Sequence, residues 1–99
     1  MNLYSWDKNK NEENIQKHGV DFREARTVFD DPNAVYEIDD EHSLGEERFV
    51  VIGMSKQAYI LFVCHCYRES DNVIRLISAR KAESDEIDLY YGGIYETLY

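Results

Sequence analysis

The sequence predicts an α+β fold: a small antiparallel sheet of four to five strands, two helices ahead of it and one helix behind. Hydrophobic residues recur at helical spacing up to about residue 30 and at a spacing near two from residue 34 to 79. The four apolar runs of that second half, AVYEI, RFVVIGM, YILFVCHCY and VIRLISA, are rich in Val, Ile, Phe and Tyr and are joined by short polar connections, as in a meander of neighbouring strands. No repeat or linker divides the 99 residues, so residues 1–99 are read as a single domain. A chain of this length should bury roughly 60–70% of the surface it exposes when unfolded, enough for one modest core.

Each element has a local reason. LYSW is a short apolar start, and Asp7 then caps a polar helix that runs to about His18, where Gly19 supplies the stop. That helix is expected to bury little beyond Ile15. Asp21 followed by Glu24 resembles a capping box, and Phe22, Ala25, Val28 and Phe29 fall on one face of a second helix that DDP ends. A last helix is expected from Ala82–Asp85 to Tyr91, broken at Gly92 and Gly93, with IYETLY forming a turn beyond it. Helices covering only part of one sheet face would leave a concave surface open, and chemistry is expected there.

The formal net charge is −9, but it is unevenly spread. Residues 37–47 hold six acids and residues 83–99 five, with no Lys or Arg in either segment, whereas Lys56, Arg68, Arg75, Arg80 and Lys81 face only Glu69 and Asp71 between residues 56 and 81. An acidic whole disfavours non-specific nucleic-acid binding, yet a focused cationic cleft can still hold a phosphate. No apolar run approaches the ~20 residues that span a bilayer, and the N-terminal residues lack a signal peptide's apolar centre, so a cytoplasmic protein without membrane contact is expected. Cys64 and Cys66 point to one strand face and are expected as free thiols.

Arg75 and Arg80 lie in a run that otherwise reads as a buried strand. Strict alternation places Arg75 with Ile77 and Ala79, and Arg80 with Ser78 on the other face. Arg80, with Ser78 beside a helix N-terminus, suits a phosphate clamp of guanidinium, hydroxyl and backbone donors. HSLGEER supplies His42, Ser43, Glu47 and Arg48, a base, an orienting carboxylate and a charge stabiliser within one turn, although a solvated hairpin explains the same residues. Lys17 and His18 sit at a helix C-terminus, where cations also serve the helix dipole alone. CHC invites a metal reading, but His65 projects away from both thiols and nothing completes a tetrahedral set, so no metal or other cofactor is expected.

Taken together, YSWDKNKNEENIQKHGVDFREARTVFDDP, HSLGEERFVVIGMS and IRLISARKAESDE resemble the BrnT family of bacterial type II toxins, over roughly residues 4–91. The resemblance implies a compact RelE-like fold, RNA cleavage without a metal that inhibits translation, and neutralisation by a ribbon-helix-helix antitoxin of the BrnA kind, through which alone operator DNA is bound. Carried onto this chain, it marks Lys17, His18, His42, Ser43, Glu47, Arg48, Arg75, Ser78 and Arg80. Chemistry then divides the candidates. Arg80, Arg75 and Arg48 would hold phosphorane charge, His42 or His18 would act as acid or base with Glu47, and Lys17, Ser78, Ser43 and Arg68 would bind substrate. These groups are expected to converge on the open sheet face. The acidic segments equally fit a second reading, a catalytically attenuated protein-binding module that keeps the toxin fold and the antitoxin. They would steer a basic antitoxin toward its site, and a homo-oligomer is compatible with the composition.

Overall fold

A computed structural model describes residues 3–42, 45–68 and 72–98, with backbone alone at residues 42 and 93–98. In chain order the elements are β1 (Leu3–Ser5), α1 (Lys8–His18), α2 (Phe22–Ala25) running into a 3-10 segment (Arg26–Asp30), β2 (Val35–Ile38), β3 (Phe49–Met54), β4 (Ile60–Arg68), β5 (Val73–Lys81) and α3 (Ser84–Leu98). A short 3-10 turn, Asp40–His42, follows β2. The five strands form one sheet in the order β1-β5-β4-β3-β2. Strands β2 to β5 make the antiparallel meander, while β1 pairs parallel to β5, Ser5 opposite Arg75, so the sheet is mixed at that edge.

The helix signals act locally as their chemistry requires. Asp7 accepts from the N–H groups of Asn9 and Lys10 at 2.8 and 3.1 Å, and Gly19 adopts φ +70°, a left-handed conformation that closes α1. Asp21 caps α2 through the Arg23 N–H at 2.9 Å. Its carboxyl is held well below the usual range, at about 2, first by the Arg23 side chain. Glu24 does not reach back to close a capping box; it accepts the Ser55 hydroxyl at 2.7 Å and ties α2 to the β3–β4 turn.

One core lies under α1 and α2, where Val20, Phe22, Ala25 and Val28 meet Val51, Leu61, Val63, Ile74, Leu76 and Ala79. Burying each large side chain contributes about 1.5–3 kcal/mol. Gly53 permits this packing: a Cβ there would lie 3.1 Å from both Cβ and O of Val28. On the opposite face, α3 places Tyr90 against Val50 and Ile52, with Met54, Ile60 and Phe62 around them. The sheet is therefore covered on both faces, and the expected open concave face is replaced by a groove at the β5 edge. The helix also continues through Gly92 and Gly93 to Leu98, because its docking on β3 outweighs the ~1 kcal/mol that a glycine costs within a helix.

The face that α1 buries is polar. Ile15 is 39% exposed, whereas Asn11 and Asn14 are buried. Asn11 accepts the Phe22 N–H at 2.8 Å and donates to Asp21 at 3.2 Å. The Asn14 amide accepts the Ala79 N–H at 3.0 Å and donates to the carbonyls of Ala79 and Val20 at 2.8 and 2.9 Å. Asn14 thus pairs with β5 as a strand residue would, beyond the point where β1 ends.

Candidate functional site

The register of β5 decides which side chains meet. Cys64 pairs with Ser78 and His65 with Leu76, so Ile77 is an extra residue, a bulge in β5. Strict alternation therefore fails. Arg75 opposite Cys66, Ser78 opposite Cys64 and Arg80 opposite Phe62 share one face, whereas Ala79 turns into the core. One step before the Phe49–His65 pair, Arg48 falls level with Cys66, so Arg48 and Arg75 flank that residue from its two neighbouring strands.

Three depressions adjoin along the β5 edge and the end of the sheet. The middle one, about 100 Å³, is lined by Arg48, Arg68, Arg75 and Lys10 with Asp7, Glu46, Leu76 and Ile77. Among the described residues, four cations there face two carboxylates. Toward α1, a depression of about 210 Å³ shares Lys10 and Ile77 with it and adds Lys17, His18, Ser78, Glu13 and Asn14. On the other side, a cavity of about 420 Å³ shares Glu46 and adds Glu47, Phe49 and Tyr67. The Arg68–Glu46 pair, at 3.4 Å, stands on this last boundary.

The groove exists because β5 lacks a neighbour over part of its edge. Strand β1 ends opposite Arg75 and Asn14 takes up Ala79, leaving the bulged stretch 76–78 between them. Asn14 also sets α1 in place, and Lys10 and His18, one turn to either side, lie along the same helix stripe. Lys10 and Asn14 were not among the residues that the sequence singled out. Their signal was the i, i+4, i+8 spacing of Lys10, Asn14 and His18 on a helix with almost no apolar face.

Of the residues singled out, Arg48, Arg68, Arg75, Lys17, His18, Ser78 and Glu47 line these adjoining depressions. Arg80 lines none of them. Its guanidinium forks onto both Glu86 oxygens at 2.8 Å, lies 3.5 Å from Glu83 and sits 4.1 Å above the Phe62 ring. The hydrogen bonds that Arg80 donates to Glu86 raise its pKa above the ordinary guanidinium value. Burial pushes the Glu86 carboxyl upward, but hydrogen bonds from Arg80 and the Glu83 N–H outweigh it and leave its pKa lowered. Arg80 thereby joins the end of β5 to the first turn of α3, where Glu86 accepts the Glu83 N–H at 2.8 Å as the second half of a capping box does. The convergence of Arg80 with Arg75 and Arg48 is not what this geometry provides. The Ser43 position and the His42 side chain lie outside the described residues.

The CHC segment holds a further arrangement. His65 is fully buried, 4.8 Å from the Phe29 ring and 5.4 Å from Tyr67, and its Nδ1 lies 3.3 Å from the Val63 carbonyl. Burial lowers its pKa to about 4. Cys64 and Cys66 project to the other face, and burial first, then Asp39, pushes the Cys64 thiol up to about 11, which keeps it protonated. Among the described residues, no group of three or more His, Cys, Asp or Glu side chains is arranged to hold a metal ion.

Comparison with known proteins now adds to this geometry. Residues 6–86 match the family model described as "Ribonuclease toxin, BrnT, of type II toxin-antitoxin system". The crystal structure of the Brucella abortus ribonuclease toxin BrnT superposes with a TM-score of 0.64 at 23% identity, covering 85% of this chain and 100% of that one, a likeness of fold. Among curated proteins no match is found. The matched segment contains every element that lines the groove, and the chain belongs to the BrnT family of ribonuclease toxins of type II toxin-antitoxin systems.

Proposed function

We propose that this chain is an endoribonuclease that cleaves RNA in the cytoplasm without a metal ion, inhibits translation, and is neutralised by a ribbon-helix-helix antitoxin. The observation that carries the reading is the gathering of Arg48, Arg68, Arg75 and Lys10 around one small depression that adjoins His18, Lys17 and Ser78. Cleavage by the ribose 2′-hydroxyl needs a group to take its proton, a positive environment for the phosphorane and a proton for the departing 5′-oxygen. Arg75 and Arg48, fixed by strand register, hold the phosphorane, and each such contact is commonly worth about 10²- to 10³-fold in rate. His18 moves the proton, because an imidazole is the kind of side chain in the groove that can both take up and release one under neutral conditions. Lys17, Ser78, Arg68 and Lys10 position the flanking phosphates.

Arg80 is assigned a supporting role, holding α3 to the end of β5. The test is incubation of the purified protein with total RNA in excess EDTA. Cleavage that persists in the wild type and falls at least 100-fold in Arg75→Ala supports the reading; intact RNA at every concentration, or an Arg75→Ala variant as active as the wild type, refutes it. Undiminished capture of a small basic partner protein in that case would favour the attenuated binding module. The carboxylates of Asp7 and Glu46 among the groove's cations are the observation that keeps that second reading in view.

A further inference from the structure

The cavity of about 420 Å³ at the far end of the groove differs in kind from the two cationic depressions. Two of its lining residues are aromatic, Phe49 and Tyr67, whose rings stand 5.2 Å apart at 67°. Both also contact the fully buried His65, at 6.1 and 5.4 Å, so the core fixes their orientation from behind. Among the described residues, Glu46 and Glu47 complete its lining. Glu46 is engaged by Arg68 at 3.4 Å, whereas among the described residues no ion pair engages Glu47, which is exposed.

A ligand for this cavity must present a flat apolar surface to the rings and hydrogen-bond donors to the carboxylate. An ionised carboxylate only accepts, through two oxygens side by side. Among the RNA bases, guanine alone offers two adjacent donors on one edge, N1–H and N2–H₂; adenine and cytosine present a single amino group there, and uracil a single ring N–H. Unpaired RNA bases are recognised in this way, stacked on aromatic rings and read along the Watson–Crick edge. Glu46 belongs to this cavity and to the arginine depression alike, so the two share a wall, as the base and phosphate of one nucleotide require.

We propose that the cavity is a base-recognition subsite for guanine, with Phe49 and Tyr67 as its stacking surface and Glu47 as the residue that reads the N1–H and N2–H₂ edge. This rests on the groove's being an RNA site, and the experiment separates the two claims. Dye-labelled 2′-O-methyl oligonucleotides, which lack the attacking hydroxyl, carry either guanosine or inosine at one central position, and their affinities are measured by fluorescence anisotropy at low salt. Inosine keeps the ring and N1–H but lacks the N2 amino group. The wild type should favour the guanosine oligomer roughly tenfold, the loss expected for one charge-assisted hydrogen bond. Glu47→Gln, an exposed substitution that keeps size and fold, should bring the ratio close to one.

Equal affinity of the wild type for the two oligomers, a preference that survives in Glu47→Gln, or no binding of either oligomer overturns the subsite. Guanosine selectivity in a protein that leaves total RNA intact would keep the subsite and overturn the ribonuclease reading. Cleavage of RNA with equal affinities would do the reverse and leave the cavity to a cationic side chain of a protein partner.

Discussion

His65 should make stability fall as the solution is acidified, starting from the ordinary histidine range. The ring is fully buried among Phe29, Tyr36, Phe49 and Tyr67, and its Nε2 meets no partner among the described residues. Burial lowers its pKa from 6.5 to about 4. Between those values the unfolded chain takes up a proton that the folded chain refuses, so stability is full above about pH 6.5, declines as the pH falls, and has lost its whole contribution near pH 4. At about 1.4 kcal/mol per pH unit, the loss is about 2 kcal/mol by pH 5 and about 3 kcal/mol in all, against a total stability of about 5–15 kcal/mol for a domain of this kind. Asp21, with its pKa lowered to about 2, titrates below this window. Acidification also relieves the repulsion of a chain with net charge −9, and that background is shared by a His65→Leu variant. Urea unfolding of both proteins at pH 7.5, 6 and 5 isolates the histidine. The free-energy difference between them should move by about 2 kcal/mol in the variant's favour from pH 7.5 to 5. Parallel curves across that range would refute the argument and mean that the imidazole is solvated or partnered in the folded state.

Four further outcomes are expected. Asn14→Ala leaves the N–H and C=O of Ala79 without their partner at a buried position and should cost about 3 kcal/mol in denaturant unfolding, and Asn14→Asp should rescue little, because its carboxylate would face two carbonyls. Arg80→Ala removes the fork onto Glu86, whose side chain is only 13% exposed, and should lower stability by about 1.5–3 kcal/mol while cleavage per folded molecule stays near wild type; a fall of 100-fold or more in cleavage with an unchanged melting curve would return Arg80 to the chemistry. Tyr90→Phe loses the 2.7 Å hydrogen bond to Asp31, which also accepts the Met54 N–H, and should loosen α3 by about 1–2 kcal/mol, seen as faster hydrogen exchange along that helix. Gly53→Ala drives a methyl to within 3.1 Å of the Val28 carbonyl and should destabilise the fold by about 1–3 kcal/mol, measured by thermal unfolding.

The order of the elements and the ends of α1 follow from local chemistry, which short stretches of sequence carry. Asp7 and Gly19 bound the helix by hydrogen bonds within three or four residues, and the alternation of β3 and β4 needs only the period of a pleated strand. The arginines of the groove were likewise legible as residues, because charged groups in or beside apolar runs are costly and stand out. Their arrangement was not. A single bulge at Ile77 reverses the facing of everything beyond it in β5, bringing Ser78 onto the face of Arg75, and bulges depend on pairing with another strand. Arg80 read as a phosphate clamp because its neighbours in sequence suited one, yet its closest partner, Glu86, comes from α3, and its guanidinium lies over Phe62. Asn14 read as a solvated helix position and became buried because β1 is too short to cover the β5 edge, leaving two backbone groups of Ala79 that a side-chain amide could satisfy. In each case a local pattern fixed the type of residue, and contacts between segments distant along the chain fixed its partner. The groove of a ribonuclease toxin is made of such partners.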